Sequence, residues 1–187
     1  MDLILIRHPQ VAIDAGICYG QTDVPLLHDV NESARVIATR MKALGVPSSV
    51  DGWHTSPLQR CASLARVLSQ TQKIDPRLSE IDFGAWENKA WDSIDRTVFD
   101  NWAADLADSR PHGGESLAQF ASRVLDWFSE VSADSVHVVA HAGVMRVLAA
   151  HLLGIDRETA LNWSLDFGGV AWFRRAHGKW LLVRWNA

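Results

Sequence analysis

Two short apolar runs, each ending abruptly in a histidine, constrain this chain more than anything else in it. Asp2 to Ile6 reads DLILI and runs into Arg7-His8, and Val136 to Ala140 reads VHVVA and runs into His141-Ala142-Gly143. Short runs of consecutive apolar residues with many β-branched members read as buried strands. They fall far short of the ~18 apolar residues that span a bilayer. The first is also succeeded at once by Arg-His, which is not how a signal peptide continues.

Between these strands the pattern is helical. Asn31 to Leu44 reads as a helix closed by Gly45 and Pro47, where glycine and proline stop the repeat. Val50 to Thr55 is a short strand. In the stretch after it, Ser56 is expected as an N-cap, with Pro57 at the first helical position and Gln59 completing a capping box. Ser116 and Gln119 repeat the capping-box signature ahead of an amphipathic helix through Phe128. A further helix runs from His141 to about Leu153 and stops at Gly154. Asp75 to Leu78 is expected to be a short strand, Val11 to Leu27 a long loop, and Trp91 to Leu106 carries mixed helix signals. Gly169 to Arg174 and Trp180 to Trp185 suggest a hairpin turned by His177-Gly178. Strands alternating with helices predict an α/β fold, a three-layer α/β/α sandwich with a mostly parallel central sheet and right-handed crossovers. With 187 residues and no repeat or linker, residues 1–187 are expected to form one domain.

The net charge of −4 argues against a nucleic-acid binder, which would carry a basic excess. Two cysteines argue against a disulfide framework and favour a reducing, cytoplasmic setting, with no membrane partner. No HExxH or comparable zinc spacing occurs, and no GxGxxG or Walker loop, so neither a metal nor a nucleotide cofactor is expected.

The chemistry collects beyond the carboxyl ends of the predicted strands, where such sheets bind ligands. Arg7 and His8 come directly after the first strand, Arg60 opens the helix after the second, and His141 stands where VHVVA becomes a helix. Guanidinium groups hold phosphoryl oxygens in a planar fork. The helix N-terminus at Ala142 and Gly143 offers backbone N–H donors. A neutral imidazole is a nucleophile near neutral pH, and a carboxylic acid would protonate the leaving alkoxide. Glu80 is the preferred acid, with Glu87 and Asp82 as competitors. Glu115 reads as a first-turn acid that stabilises its helix. Gly20 and Gln21, with Tyr19, fall at the expected rim. His28, His54, His112, His137, His151 and His177 read as surface or packing residues, His137 as part of the core.

At these residues the sequence resembles the histidine phosphatase superfamily, formerly the phosphoglycerate-mutase-like family. The matching pieces, in order, are LIRH, TSPLQRC (Thr55 to Cys61), LSEIDFGAWE (Leu78 to Glu87), GGES (Gly113 to Ser116) and AHAGVMR (Ala140 to Arg146). The resemblance implies that His8 accepts the phosphoryl group, that Arg7, Arg60 and His141 complete the phosphate pocket, and that Glu80 donates the proton, without a metal. IRHPQVAIDAGICYGQTDVPL and EIDFGAWENKAWDSI are most similar to the α-ribazole phosphatase branch, which implies α-ribazole 5′-phosphate of cobalamin synthesis as substrate. The same resemblance leaves open a phosphatase or mutase acting on another ester, such as a sugar phosphate.

Two positions depart from the family. Pro9 stands where the family usually has glycine, which removes an N–H. Asp14 falls about where an asparagine often lies near phosphate, and an ionised Asp there would repel it. On these two positions rests a reading of another class, a phosphate-binding interaction domain without turnover. The loop Val11 to Leu27 and the stretch Trp86 to Arg110 are expected to read the leaving group.

Overall fold

The computed structural model describes residues 1–48 and 50–187. The two apolar runs form its central strands. β1 (Asp2–Arg7) and β4 (Ser135–Ala140) lie side by side and parallel, with Leu5 opposite Val138 and Arg7 opposite Ala140. β2 (Gly52–Thr55) pairs in parallel with β4 and with the two-residue β3 (Lys73–Ile74). β5 (Val170–Ala176) runs antiparallel to β1 and turns at His177-Gly178, both in positive φ, into β6 (Lys179–Arg184). The sheet order is β3-β2-β4-β1-β5-β6. It is parallel on one side and antiparallel on the other, as expected for a mostly parallel sheet with an appended hairpin.

Alternation along the central strands builds two cores. Leu3, Leu5, Val136 and Val138 face α4 (Leu117–Ser129) and α5 (Ala142–Leu153), packing on Phe120, Trp127, Val144 and Leu148. Ile4, Ile6 and Val139 face α1 (Val30–Ala43) and α2 (Gln59–Leu68), where Ile37, Cys61 and Leu64 lie. Each fully buried aliphatic side chain contributes ~1.5–3 kcal/mol of transfer free energy. His137 is a core residue, packed against Trp53 with ring centroids 4.6 Å apart. The three-layer expectation therefore holds.

The placement of helices also opens the site. The helix next after β1 packs on one face, and the helix next after β4 packs on the other. Two adjacent parallel strands whose chains leave to opposite faces create a crevice at their carboxyl ends. Arg7-His8 and His141 stand at that crevice.

Several local expectations need correction. Ser56 is not an N-cap: α2 starts at Gln59, and its first amide is capped from a distant loop by Asp23 Oδ1 at 2.8 Å. Asp75 to Leu78 is not a strand. Asp75 accepts from Arg77 N, and Pro76–Leu78 forms a 3₁₀ turn, because proline presets the helical φ. Within Trp91 to Leu106 only α3 (Arg96–Ala104) is α-helical. A short α6 (Arg157–Leu161), capped by Asp156, had no expectation attached. The Ser116–Gln119 capping box forms in full, and Gly154 ends α5 in the left-handed conformation. Among the described residues no helix is long and apolar enough to cross a membrane.

Candidate active site

His8 sits at the end of β1, 2% exposed, with its backbone N–H on Ala140 O. Its Nδ1 lies 2.7 Å from Pro9 O. A carbonyl can only accept, so Nδ1 carries the proton and Nε2 keeps a free lone pair. Pro9 thus gives no N–H to the site, but its carbonyl fixes the tautomer that a nucleophile requires. Burial holds the His8 pKa down to about 3, helped by the charges of Arg60 and Arg7 and opposed by the Pro9 bond. The ring is a neutral base throughout the physiological range.

Arg7 lines a cavity of about 370 Å³ beside His8. Its Nη1 donates to Leu165 O, and its guanidinium lies over the Phe167 ring at 4.0 Å. Its Nε is buried without a partner among the described residues. Glu80 lines the same cavity. Its carboxylate accepts from Ile81 N at 3.0 Å and from Gly143 N at 3.1 Å. The absence of a side chain on Gly143 leaves this space to Glu80, since a Cβ would overlap Glu80 Oε1 and displace the carboxylate. The expectation for Gly143 is thereby corrected: its amide is spent on the Glu80 carboxylate rather than free for a phosphate oxygen. Ala142 lines the cavity.

Arg60 and His141 are fully buried beside His8, outside the residues that line the cavity. Arg60 donates to Gly20 O (2.6 Å), Thr22 O (2.8 Å) and His141 Nδ1 (3.3 Å), and Tyr19 stacks on its guanidinium at 5.1 Å. Because Nδ1 of His141 accepts, Nε2 carries the proton and donates to Ser56 Oγ at 2.8 Å. Both nitrogens are therefore used inside the protein, and His141, expected to complete the phosphate pocket, does not itself line the cavity. Burial, then the neighbouring His8 and Arg60, push its pKa well below the ordinary value. Ser56, expected at a helix start, is the residue that orients His141. The proline after it favours an extended backbone at this position.

Gly20 lines the cavity, but Gln21 does not: its side chain donates to Glu80 O and its amide to Glu87. Glu87 accepts from Gln21 N, Thr22 N, Thr22 Oγ1 and Phe83 N, and so is a structural latch rather than the acid. Asp82 caps Gly84 N. Glu115 precedes the N-cap of α4 and forms an ion pair with Arg123, so its role is not that of a first-turn acid. Asp14 is exposed and does not line the cavity.

The outer wall comes from the two segments expected to read the leaving group. Ile17, Cys18 and Tyr19 come from the first, which is zipped to Asn88–Trp91 by backbone hydrogen bonds. Trp91 and Trp102 come from the second, and Phe83, just ahead of it, completes the wall. The two indoles are nearly parallel (19°) and Phe83 meets both on edge. Cys18 adds bulk rather than reactivity, since burial pushes its thiol up to about 12. Arg146, overlooked in the sequence, also lines the cavity and is anchored on Trp163 O by Nε and Nη2. Its spacing from Ala142, one helical turn, was the available signal.

A sequence model of the histidine phosphatase superfamily (branch 1) matches residues 3–187. The adenosylcobalamin/alpha-ribazole phosphatase of Escherichia coli is 32% identical, the match covering 90% of this chain and 87% of that one. The glucosyl-3-phosphoglycerate phosphatase of Mycolicibacterium vanbaalenii is 30% identical, over 99% of this chain and 94% of the relative. The crystal structure of the alpha-ribazole phosphatase from Shigella flexneri superposes with a TM-score of 0.86 at 25% identity, over 100% of this chain and 96% of that one. The ordered motifs, the paired histidines at adjacent strand ends and these similarities lead to one assignment: the chain belongs to the histidine phosphatase superfamily, branch 1, and is a phosphatase.

Proposed function

We propose that the chain hydrolyses a small phosphomonoester through a phosphohistidine on His8, and that its substrate is α-ribazole 5′-phosphate or its cobalamin-bound form. The observation that carries the mechanism is the buried, unpartnered Nε of Arg7 on the cavity that holds His8 and Glu80. A buried donor left unpaired costs ~1–3 kcal/mol, and a phosphoryl oxygen is the partner that would satisfy it.

In the first step His8 Nε2 attacks phosphorus, forming a P–N bond as the ester P–O bond breaks. Glu80, as the carboxylic acid, gives its proton to the departing alkoxide. The Nδ1–H to Pro9 O bond stabilises the charge that develops on the ring. Arg7 neutralises the transferred oxygens directly, and Arg60 does so by its charge from beside His8. In the second step Glu80, now a carboxylate, takes a proton from the water that attacks phosphorus. The P–N bond breaks, phosphate leaves and His8 is restored. The aromatic wall of Phe83, Trp91 and Trp102 suits a flat leaving group such as a benzimidazole nucleoside, which is why the α-ribazole reading is preferred to the sugar-phosphate one.

Hydrolysis of p-nitrophenyl phosphate with excess EDTA, beside the His8→Ala variant, tests the mechanism. Activity that survives EDTA, vanishes in the variant and leaves acid-labile phosphate on wild-type protein is expected. Loss with EDTA, or wild-type turnover by His8→Ala, overturns it. The substrate is then tested by comparing kcat/KM for α-ribazole 5′-phosphate, glucosyl-3-phosphoglycerate and phosphoserine. A preference for either of the last two overturns the substrate assignment and leaves the mechanism standing.

A further inference from the structure

Glu80 does its work from a segment with no regular secondary structure. The chain from Ser79 to Phe83 belongs to neither helix nor strand. Its carbonyls therefore lack ladder partners and must find donors elsewhere. The side chain that meets this need is Arg123, in the middle of α4. Its Nη1 donates to Arg77 O and to Ser79 O, each at 2.8 Å, and its Nη2 to Glu80 O at 2.8 Å. The other donors go to Glu115, Nε to Oε1 at 2.6 Å and Nη2 to Oε2 at 2.8 Å. A guanidinium has five N–H groups, and here every one is used.

Glu115 closes the frame from the other side. Its Oε2 accepts from Asp82 N at 3.0 Å, and its own N–H donates to Asp82 O at 2.9 Å. The ion pair is only about one-fifth exposed on each side chain. The Arg123 guanidinium also lies 4.8 Å from the centroid of the Phe120 ring, which lines the cavity. The residues on both flanks of Glu80 are thus tied to one rigid helix through one fork-shaped cation.

We propose that Arg123 is the positioning residue for the general acid, setting where the Glu80 carboxyl group sits relative to the leaving oxygen. It stands behind the cavity lining rather than in it, so its effect on the reaction passes through Glu80. The inference rests on the reading of Glu80 as the acid. Lysine cannot replace Arg123 in this role: it has a point charge with three donors and no planar fork, so it cannot span three carbonyls and a bidentate carboxylate. A misplacement of a reacting group by ~1 Å is enough to cost on the order of 10²-fold in rate.

The test uses the dependence of kcat/KM on the leaving group, because a departing p-nitrophenolate needs no proton and a departing alkoxide does. The full-length protein and its Arg123→Lys, Arg123→Met, Glu115→Gln and Glu80→Gln variants are assayed on p-nitrophenyl phosphate, phenyl phosphate and glycerol phosphate. In Arg123→Lys, kcat/KM for glycerol phosphate should fall on the order of 10–10²-fold, while that for p-nitrophenyl phosphate stays within about threefold. Glu115→Gln should show the same pattern more weakly and covers the case in which the Arg123 variants do not fold. Glu80→Gln should show it most strongly. If Glu80→Gln shows no leaving-group dependence, the acid assignment itself fails. If Glu80→Gln shows it but the folded Arg123 and Glu115 variants lose activity equally on all three esters, Arg123 is merely structural and the present inference is overturned.

Discussion

The imidazole of His8 stands edge-on to that of His141, with ring centroids 5.2 Å apart and planes inclined by 62°. Both rings are buried and neutral, and a proton added to either would sit beside Arg60. In the unfolded chain both histidines titrate near 6.5. Folding lowers both pKa values, that of His8 to about 3. Between pH 6.5 and about 3 the unfolded state therefore binds more protons than the folded one. Stability is highest above that window and is lost as pH falls through it, by up to about 1.4 kcal/mol per pH unit for each histidine. Thermal melts from pH 7.5 to 4.5 should show a steep decline that is shallower in His8→Asn. A flat wild-type profile rules this out.

The same low pKa predicts how His8, as the proposed nucleophile, behaves in the free enzyme. His8 stays deprotonated far below 6.5, so the kcat/KM profile should show no His8 ionisation between pH 7 and 5 once the substrate's own phosphate ionisation is allowed for. An acid limb near 6.5 that persists with a substrate whose ionisation lies elsewhere contradicts the buried tautomer described here.

Glu87 connects the loop around Gly20 to Thr22, which holds Arg60, to the segment at Phe83. Its carboxylate gathers the amides of Gln21, Thr22 and Phe83, and the adjacent carbonyls of Gly20 and Thr22 hold Arg60. Glu87→Gln replaces one acceptor oxygen with a donor that faces other donors. A loss of about 1–3 kcal/mol in stability is expected, together with weaker competitive inhibition by inorganic phosphate as Arg60 loosens. Unchanged stability and phosphate inhibition would show that the latch is not needed.

The strand ends, and with them the places of Arg7, His8 and His141, were legible because runs such as DLILI and VHVVA declare buried strands, and sheets of this kind open their crevice just past the carboxyl ends of the strands. The Ser116–Gln119 capping box was legible because both halves of it are local. Ser56 misled because the cap of α2 comes from Asp23, 36 positions away, which freed the Ser56 hydroxyl for His141. Helix α6 has five residues, too few to show a period. Arg123 was invisible because three of its five donors go to backbone carbonyls 43 to 46 positions earlier, and a carbonyl leaves no trace in residue type.

Trp102 contributes its ring to the outer wall from α3, a helix with no buried residue of its own. Trp102→Ala should therefore leave the fold intact and act on the leaving group. Aromatic pairing contributes ~0.5–1.5 kcal/mol beyond area burial, so kcat/KM for α-ribazole 5′-phosphate should drop by roughly 2–10-fold or more. Glycerol phosphate should change little. An equal effect on both esters would mean that the indole supports the wall without meeting the substrate.

Gly143 offers the sharpest separation of fold from chemistry. It lies in the first turn of α5 with no positive φ, so alanine fits its backbone, and alanine is the better helix former by about 1 kcal/mol. The added methyl group would displace the end of the flexible Glu80 side chain and press on Phe120 Cε1 at 3.1 Å. It would also break the Gly143 N–H bond to the carboxylate. Gly143→Ala should keep its melting temperature within a few degrees while losing on the order of 10²-fold in kcat/KM on glycerol phosphate, and far less on p-nitrophenyl phosphate. Retained activity on both esters would mean that Glu80 works from a position other than the one held by this amide, whereas equal losses on both would point to damage at the phosphate site instead.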